Sequence, residues 1–252
     1  MRSASSREVI PARYAEIHRS LDSADRKVKF VMYLFSDGPR EYDLLLKILS
    51  LGRDDYWRRS ILQATSASSN CQIVDIACGT GLVSYELASQ GARVVGVDVT
   101  REMLLRAREL GSRRRINIDL VQARAENLPL REECLDYAVI SLAMRNVSSI
   151  ENTLQEMRRC VRTGGKVISM DFTRPRGRIF GPFYNFYISR FLPMLGLVIS
   201  RHWNGIFVYL AGSIIRSKSP ETISNRMYST GLRNTSIKSM THGVTALVEG
   251  TK

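Results

Sequence analysis

A chain of 252 residues, 44% hydrophobic and 24% charged, carries enough apolar material to bury the core of one large domain, which excludes disorder over most of its length. Lys and Arg number 37 against 24 Asp and Glu, and the net charge of +13 attracts nucleic acid phosphates or anionic lipid headgroups without choosing between them. Cys71, Cys78, Cys134 and Cys160 form no CxxC pair, so neither a zinc site nor a disulfide framework is indicated, and a reducing cytoplasm is the simplest home.

Met1 to Arg7 has no apolar run behind it, so no secretory signal peptide is expected. Residues 1–40 read as a loosely attached, basic helical extension, with Arg26, Lys27 and Lys29 ahead of the apolar Phe30 to Phe35. Helical spacing is clearer from Tyr42 to Gln63, through Leu44, Leu45, Ile48, Leu49, Trp57 and Ile61, and Gly52 divides it into two helices. Strand and helix signals then alternate as in parallel βαβ units, with strands expected at Gln72–Ile76, Arg93–Val97, Ile118–Gln122, Leu135–Ser141 and Lys166–Phe172. Thr100 is expected to cap the helix through Ala107, and Ser148 with Glu151 reads as a capping box for a helix that Gly164 and Gly165 break. The apolar stretch from Ile179 to Ile215 is interrupted by Arg190, Arg201, His202 and Asn204 before the ~20 apolar residues a bilayer requires, so it can lie on a membrane but not through one. Ser219-Pro220-Glu221 opens a further helix that Gly231 closes. Thr235–Met240 and Val244–Glu249 flank Thr241-His242-Gly243 as a hairpin. The expected fold is α/β, a doubly wound, mostly parallel sheet with a C-terminal antiparallel hairpin. It forms one domain over 41–252 with a helical insertion at about 176–216.

Val74-Asp75-Ile76-Ala77-Cys78-Gly79-Thr80-Gly81 is a buried strand running into a glycine turn and a helix. Gly79 and Gly81 let backbone approach a ligand where a Cβ would collide, although a GxG turn alone also serves a plain strand-to-helix reversal. The third glycine of the dinucleotide fingerprint is missing, so a pyrophosphate on the helix end is not favoured. Asp75 inside the motif suits a ligand with an amino group. Asp98, at the end of the second strand, is placed to accept from both ribose hydroxyls, and its plain alternative is an N-cap.

Asp75 to Gly81 with Asp98 resembles the cofactor site of class I S-adenosylmethionine methyltransferases, whose Rossmann-like sheet has seven strands with the last antiparallel. Further segments resemble the ubiquinone/menaquinone biosynthesis C-methyltransferases, which methylate the ring of a polyprenylated quinol. They are Tyr42-Asp43-Leu44-Leu45, Ser50-Leu51-Gly52, Trp57-Arg58-Arg59, Ala125-Glu126-Asn127-Leu128-Pro129, Met144-Arg145-Asn146-Val147 and Thr241-His242-Gly243-Val244. The likeness runs from about Tyr42 to the end and departs at Arg124, where many class members have an acid or Asn, and at Thr163, where the family has Pro. It implies S-adenosylmethionine held by Asp75, Ala77, Gly79, Thr80, Gly81, Asp98, Val99, Met103, Ala125, Glu126 and Ser141, with no metal. It also implies Arg145, Asn146 and Tyr42 as catalytic residues facing the quinol, with Arg145 stabilising a phenolate because Arg stays protonated. From the residues alone, Arg145 could equally pair with a surface carboxylate, Asn146 begin a helix, and Tyr42 be a core aromatic.

Aromatic residues between Phe180 and Leu210, with Arg174, Arg176, Arg178, Arg190 and Arg201, are expected to line an isoprenoid path and to touch the inner face of a membrane, and part of the segment to pack on the sheet. The resemblance also leaves room for a homodimer. The rivals are a methyltransferase acting on RNA, one acting on another lipid or small phenol, and a cofactor-binding protein without transfer activity. Against RNA, no added binding domain and no Asn/Asp-Pro-Pro-Tyr motif is present. His242 reads as a turn residue rather than a base, and His18 and His202 have no metal spacing.

Overall fold

Gln72–Ile76 (β1) is buried from Ile73 onward on both faces, as the centre of a parallel sheet must be. A computed structural model describes residues 24–36, 39–68, 70–175, 177–199 and 201–252. β1 pairs in parallel with Arg93–Asp98 (β2) on one side and Leu135–Ser141 (β4) on the other, with Asp75 level with Gly96 and with Val139. Asp119–Gln122 (β3) flanks β2, and Val161–Phe172 (β5), Thr245–Thr251 (β7) and Arg233–Met240 (β6) extend the other side. The sheet has seven strands in the order β3-β2-β1-β4-β5-β7-β6, with β7 antiparallel to both neighbours. Chain direction across the sheet therefore reverses between β1 and β4, and the crevice at their carboxyl ends is where such sheets take ligands.

The period of two along each strand divides the core. Ile73, Val139, Ile168 and Met170 face one layer with Trp57 and Ile61, and Val74, Ala138, Ile140 and Val167 face another with Leu154, Met157 and Met227. Ala24–Ser36 (α1), Pro39–Leu49 (α2) and Asp54–Thr65 (α3) precede the sheet. Leu82–Ser89 (α4), Arg101–Arg114 (α5) and Ile150–Cys160 (α6) connect its parallel strands. Beyond β5 come Phe180–Phe186 (α7), a π-helical turn at Tyr187–Phe191, Leu192–Ile199 (α8) and Arg201–Ile215 (α9). Tyr184, Ile188, Leu192, Phe207 and Leu210 from this segment join the Trp57 layer of the core. Gly196 lets α8 close on α9, because a Cβ there would lie 2.7 Å from Asn204 Cα. Among the described residues no helix is long and apolar enough to cross a membrane.

Pro220–Ser229 (α10) starts as its sequence predicts, with Ser219 accepting from Thr222 N and Pro220 at the first position, and the chain leaves it through Gly231 at φ +96°. Three expectations shift. Ser149, not Ser148, caps α6 and accepts from Asn152 N, because Ser148 is bonded to Glu126 instead. Thr100 sits at the N-cap of α5 but makes no side-chain cap, and its own N–H donates to Asp98. α6 ends at Cys160, before the glycines, and Arg162 to Gly165 form an irregularity inside β5 between its pairings of Val161 and Lys166 with β4.

The amino-terminal segment is more closely seated than its composition suggests. Its described part, α1, packs Phe30 at a tilt against Tyr209 with ring centroids 5.1 Å apart and sends Lys27 to a backbone carbonyl of the β4–α6 loop. At the hairpin, Thr241, His242 and Gly243 all have positive φ, His242 lies against Phe180, and Trp57 Nε1 donates to Thr241 Oγ1 at 2.8 Å.

Candidate functional site

The turn after β1 is built on left-handed backbone, with Ala77 at φ +54°, Gly79 at +57° and Gly81 at +80°. A Cβ on Gly81 would meet Tyr85 Cε2 at 2.8 Å, so this position excludes a side chain on both conformational and steric grounds. Ala77 has no such freedom, and a non-glycine residue there stores backbone strain where the loop opens toward the crevice. Asp98 anchors the loop from β2. One oxygen accepts from Gly79 N and the other from Thr100 N, each at 2.8 Å, which fixes the carboxylate at the mouth of the crevice. Asp98 is 7% exposed, and burial raises its pKa against the pull of those N–H donors.

Asp75 is 1% exposed and accepts from Ser84 Oγ at 2.5 Å. Burial pushes its pKa up to about 7, with Asp98 adding to the rise. It lines a small cavity with Thr80, Trp57 and Arg58, and Thr80 Oγ1 donates to Asp43 Oδ1 at 2.9 Å, which ties the Tyr-Asp-Leu-Leu segment to the glycine turn. Arg58 in turn is held by Asp54, Asp55 and Glu86.

A larger cleft opens on the other side of the turn. The strand ends give it Ala77, Gly79, Asp98, Val99 and Ser141, α5 gives Met103, and the loop after β3 gives Arg124, Ala125 and Glu126. Val28 and Val31 of α1 cover it, and Asn146 and Val147 close the far end. Ala77, Gly79, Ser141 and Leu142 line this cleft and the Asp75 cavity alike, so the two form one trough across the carboxyl ends of β1, β2 and β4. Glu126 Oε1 accepts from Ser148 N at 2.6 Å, Ser148 Oγ at 2.5 Å and Ser149 N at 3.3 Å. Burial raises its pKa, but those donors outweigh burial and hold it below the ordinary value. It latches the β4–α6 loop as well as facing the cleft. Arg124, 40% exposed, sits beside it with Nε 3.8 Å from Glu126.

Arg145 faces a different cavity, of about 260 Å³, together with Lys27, Asp171, Tyr209 and Ser213. Its side chain is 6% exposed and pairs with Asp171, whose second oxygen accepts from Arg145 N at 2.9 Å. The guanidinium also donates to Leu142 O and to Ser213 Oγ, and stands 5.1 Å from the centre of the Phe172 ring. Its carboxylate partner is thus not on the surface but on β5. Asn146 Oδ1 accepts from Tyr209 OH at 3.1 Å, so adjacent residues, Arg145 and Asn146, line different cavities. Tyr42 lies in the backbone of α2, and its side chain falls outside the described residues, as do those of Arg176 and Arg201. Gly81 lines neither cavity but caps α4.

Sequence reasoning did not single out Asp171 or Ser213, read Lys27 only as part of a basic extension, and took Tyr209 as one of the aromatics on an isoprenoid path. Asp171 carried a usable signal, a lone acid near the carboxyl end of an inner parallel strand. Among the described residues no group of His, Cys, Asp and Glu could hold a metal ion.

A seven-stranded sheet with a reversed β7 and a glycine-lined trough at its switch point is the fold of class I S-adenosylmethionine-dependent methyltransferases. The chain overlays a structure described as a possible histamine N-methyltransferase from Thermotoga maritima with a TM-score of 0.62 at 21% identity, covering 87% of this chain and 98% of that one. A putative S-adenosylmethionine-dependent methyltransferase from Methanococcus maripaludis gives 0.63 at 17% identity, covering 86% and 93%. More particularly, the chain belongs to the ubiE/COQ5 methyltransferase family, whose sequence model matches residues 21–252. It is 31% identical over 250 residues to the ubiquinone/menaquinone biosynthesis C-methyltransferase UbiE of Geobacter sulfurreducens, covering 94% of this chain and 97% of the relative. It is 32% identical over 238 residues to the demethylmenaquinone methyltransferase of Desulfitobacterium hafniense, covering 91% and 92%. The family match begins upstream of Tyr42, where the resemblance was first legible, and takes in α1. The protein is an S-adenosylmethionine-dependent methyltransferase.

Proposed function

We propose that this methyltransferase carries a methyl group from S-adenosylmethionine to a ring carbon of a polyprenylated quinol, a demethylmenaquinol or a ubiquinol precursor. The observation that supports this most is the pair of cavities that adjoin at Arg145 and Asn146, one fitted to the cofactor and the other roomy enough for a ring. A cavity of about 150 Å³ holds benzene, so 260 Å³ accommodates a substituted ring. The trough fits the cofactor through the bare backbone of Gly79, the Asp98 carboxylate for ribose hydroxyls, and Asp75 for an ammonium group. Met103, Val99, Ala125 and Glu126 would enclose the adenine end, and Ala77, Thr80 and Ser141 the methionine end. When bound, the cofactor supplies a methyl group already activated on a sulfonium.

The chain's own residues then have to hold the ring and favour its ionised form. Arg145, held in place by Asp171 and Ser213, stabilises a phenolate oxygen electrostatically, and Asn146 and Tyr42 help to hold the ring. Alignment of carbon, methyl and sulfur is worth up to about 7–11 kcal/mol in well-oriented systems. Transfer of labelled methyl to a reduced demethylquinone tests the reading, and absence of transfer with intact cofactor binding would reject the quinol.

The prenyl tail and the membrane are met by the helical segment after β5. Ile179 and Val198 are 86% and 81% exposed, and Phe183, Phe186, Met194 and Leu197 are exposed beside them, with Arg174, Arg178 and Arg190 also at the surface. Basic residues near an anionic bilayer contribute about 1 kcal/mol each, so this face suits peripheral contact with the inner face of a membrane by a cytoplasmic protein. Sedimentation with anionic vesicles, lost in Phe183→Ser/Val198→Ser, is the expected result. A dimer that buries these residues without vesicle binding would put a second copy there instead.

A further inference from the structure

Lys27 stands where its sequence suggests a solvated basic residue, yet α1 carries it into the Arg145 cavity. Its Nζ donates to Val147 O at 2.6 Å, beside the Arg145–Asn146 pair that separates the two cavities. Several charged groups face it. Glu126 comes from the loop after β3, Arg145 from the loop after β4 and Asp171 from β5, while Arg216 and Lys218 line the same cavity just past α9. The acidic groups among these are already occupied. Asp171 accepts from Arg145 through both oxygens and from Phe172 N, and Glu126 accepts from Ser148 and Ser149. The guanidinium groups of Arg145 and Arg216 offer donors and no acceptor, and Lys218 is exposed to solvent.

Among the described residues that line this cavity, Lys27 is therefore the amine whose hold on its proton is loosened by its surroundings. We propose that Lys27 is a further catalytic residue, whose amine accepts the proton of the acceptor's ring hydroxyl. The proposal rests on the quinol reading above. Burial lowers the Lys27 pKa, Arg145 lowers it further, and Glu126 and Asp171 pull it back only in part. As a neutral amine, Nζ keeps a lone pair while one N–H remains on Val147 O.

In the proposed step, Nζ takes the hydroxyl proton and the freed electron pair moves through the ring to the carbon ortho to the oxygen. That carbon bonds the methyl carbon while the methyl–sulfur bond breaks, its electron pair staying on sulfur. Nζ then returns its proton to the ring oxygen as the hydrogen on the methylated carbon leaves for solvent and aromaticity is restored. One ring C–H becomes C–CH3, a sulfonium becomes a thioether, and one proton is released. No other reactant is needed.

The test uses the full chain, with reduced demethylmenaquinone bearing a short prenyl tail as acceptor. General-base loss costs about 10²–10⁴-fold, so Lys27→Met is expected to lower kcat by that factor while the S-adenosylmethionine Kd stays within about threefold. Lys27→Arg should be equally slow, because a guanidinium does not give up its proton, and added primary alkylamines should restore transfer in Lys27→Ala. In the wild type, Nζ followed by ¹⁵N NMR should titrate below the ordinary lysine value of 10.5, with the rising limb of kcat/KM following it. A wild-type rate in Lys27→Arg would overturn the proposal by showing that a positive charge suffices, as would a retained rate in Lys27→Met or an Nζ that titrates at 10.5. A wild-type protein that binds cofactor but methylates no quinol would remove the reading beneath the proposal, a failure told apart because it precedes any substitution.

Discussion

Asp75→Asn should stabilise the cofactor-free protein and weaken its hold on the cofactor. Asp75 is buried, and its pKa rises from 3.8 to about 7, chiefly through burial. A carboxyl whose folded pKa lies above its unfolded value leaves the native state unpenalised below pH 3.8 and weakens it progressively as pH rises toward 7. Some three units at 1.36 kcal/mol each make the charge cost about 4 kcal/mol above pH 7. Asparagine removes that charge but brings an amide N–H₂ that lacks an evident acceptor, a loss of about 1–3 kcal/mol, so the net gain is about 1–3 kcal/mol. At 2–4 °C per kcal/mol for a chain of this size, Tm should rise by about 2–12 °C at pH 8, with the gain shrinking toward pH 4. Saturating S-adenosylmethionine should reverse the order, because the wild type then gains binding energy that the variant has lost. Thermal melts of both proteins at pH 4 to 8, with and without cofactor, measure this. A cofactor-free variant less stable than the wild type at pH 8, or a difference indifferent to pH, would refute the reasoning.

Other substitutions probe the trough and the ion pair. Gly81→Ala forces a Cβ toward Tyr85 at a left-handed φ, which costs about 1–2 kcal/mol in backbone strain before any clash, and chemical denaturation should show at least that loss. Asp98→Asn should weaken cofactor binding about 10–100-fold by calorimetry, the worth of hydrogen bonds to a charged acceptor, and an unchanged Kd would remove Asp98 from the ribose site. Arg145→Ala strands Asp171 in a mostly buried place and should cost about 3–5 kcal/mol of stability, much of it recovered in Arg145→Leu/Asp171→Leu. If the single and the double variant lower transfer alike, the loss of activity belongs to the Arg145–Asp171 pair and not to misfolding.

How much of this could be read from the chain depended on whether the cause was local. The parallel strands were legible because burial on both faces makes them short continuous apolar runs, and Leu135–Ser141 and Gln72–Ile76 were placed to the residue. The glycine turn was legible because left-handed backbone and close packing leave glycine little competition. Other features were settled by partners far away in sequence. Ser148 has the composition of a cap, but Glu126, 22 residues earlier, holds it, so the cap moved to Ser149. Gly164 and Gly165 look like a helix stop, yet they bend β5 after the helix has already ended. Arg145 finds Asp171 across 26 residues, and Lys27 finds Val147 across 120. No spacing within α1 marks Lys27 as different from Arg26 or Lys29, because its burial is made by the loops onto which the helix folds.

The most direct measurement is methyl transfer from labelled S-adenosylmethionine to reduced demethylmenaquinone and to a ubiquinol precursor, with Arg145→Ala and Asp98→Ala run beside the wild type. Label on a ring carbon of either quinol, lost in both variants, is the predicted result. Tight cofactor binding by the wild type without label in any quinol would contradict the account and leave a methyltransferase with a different acceptor.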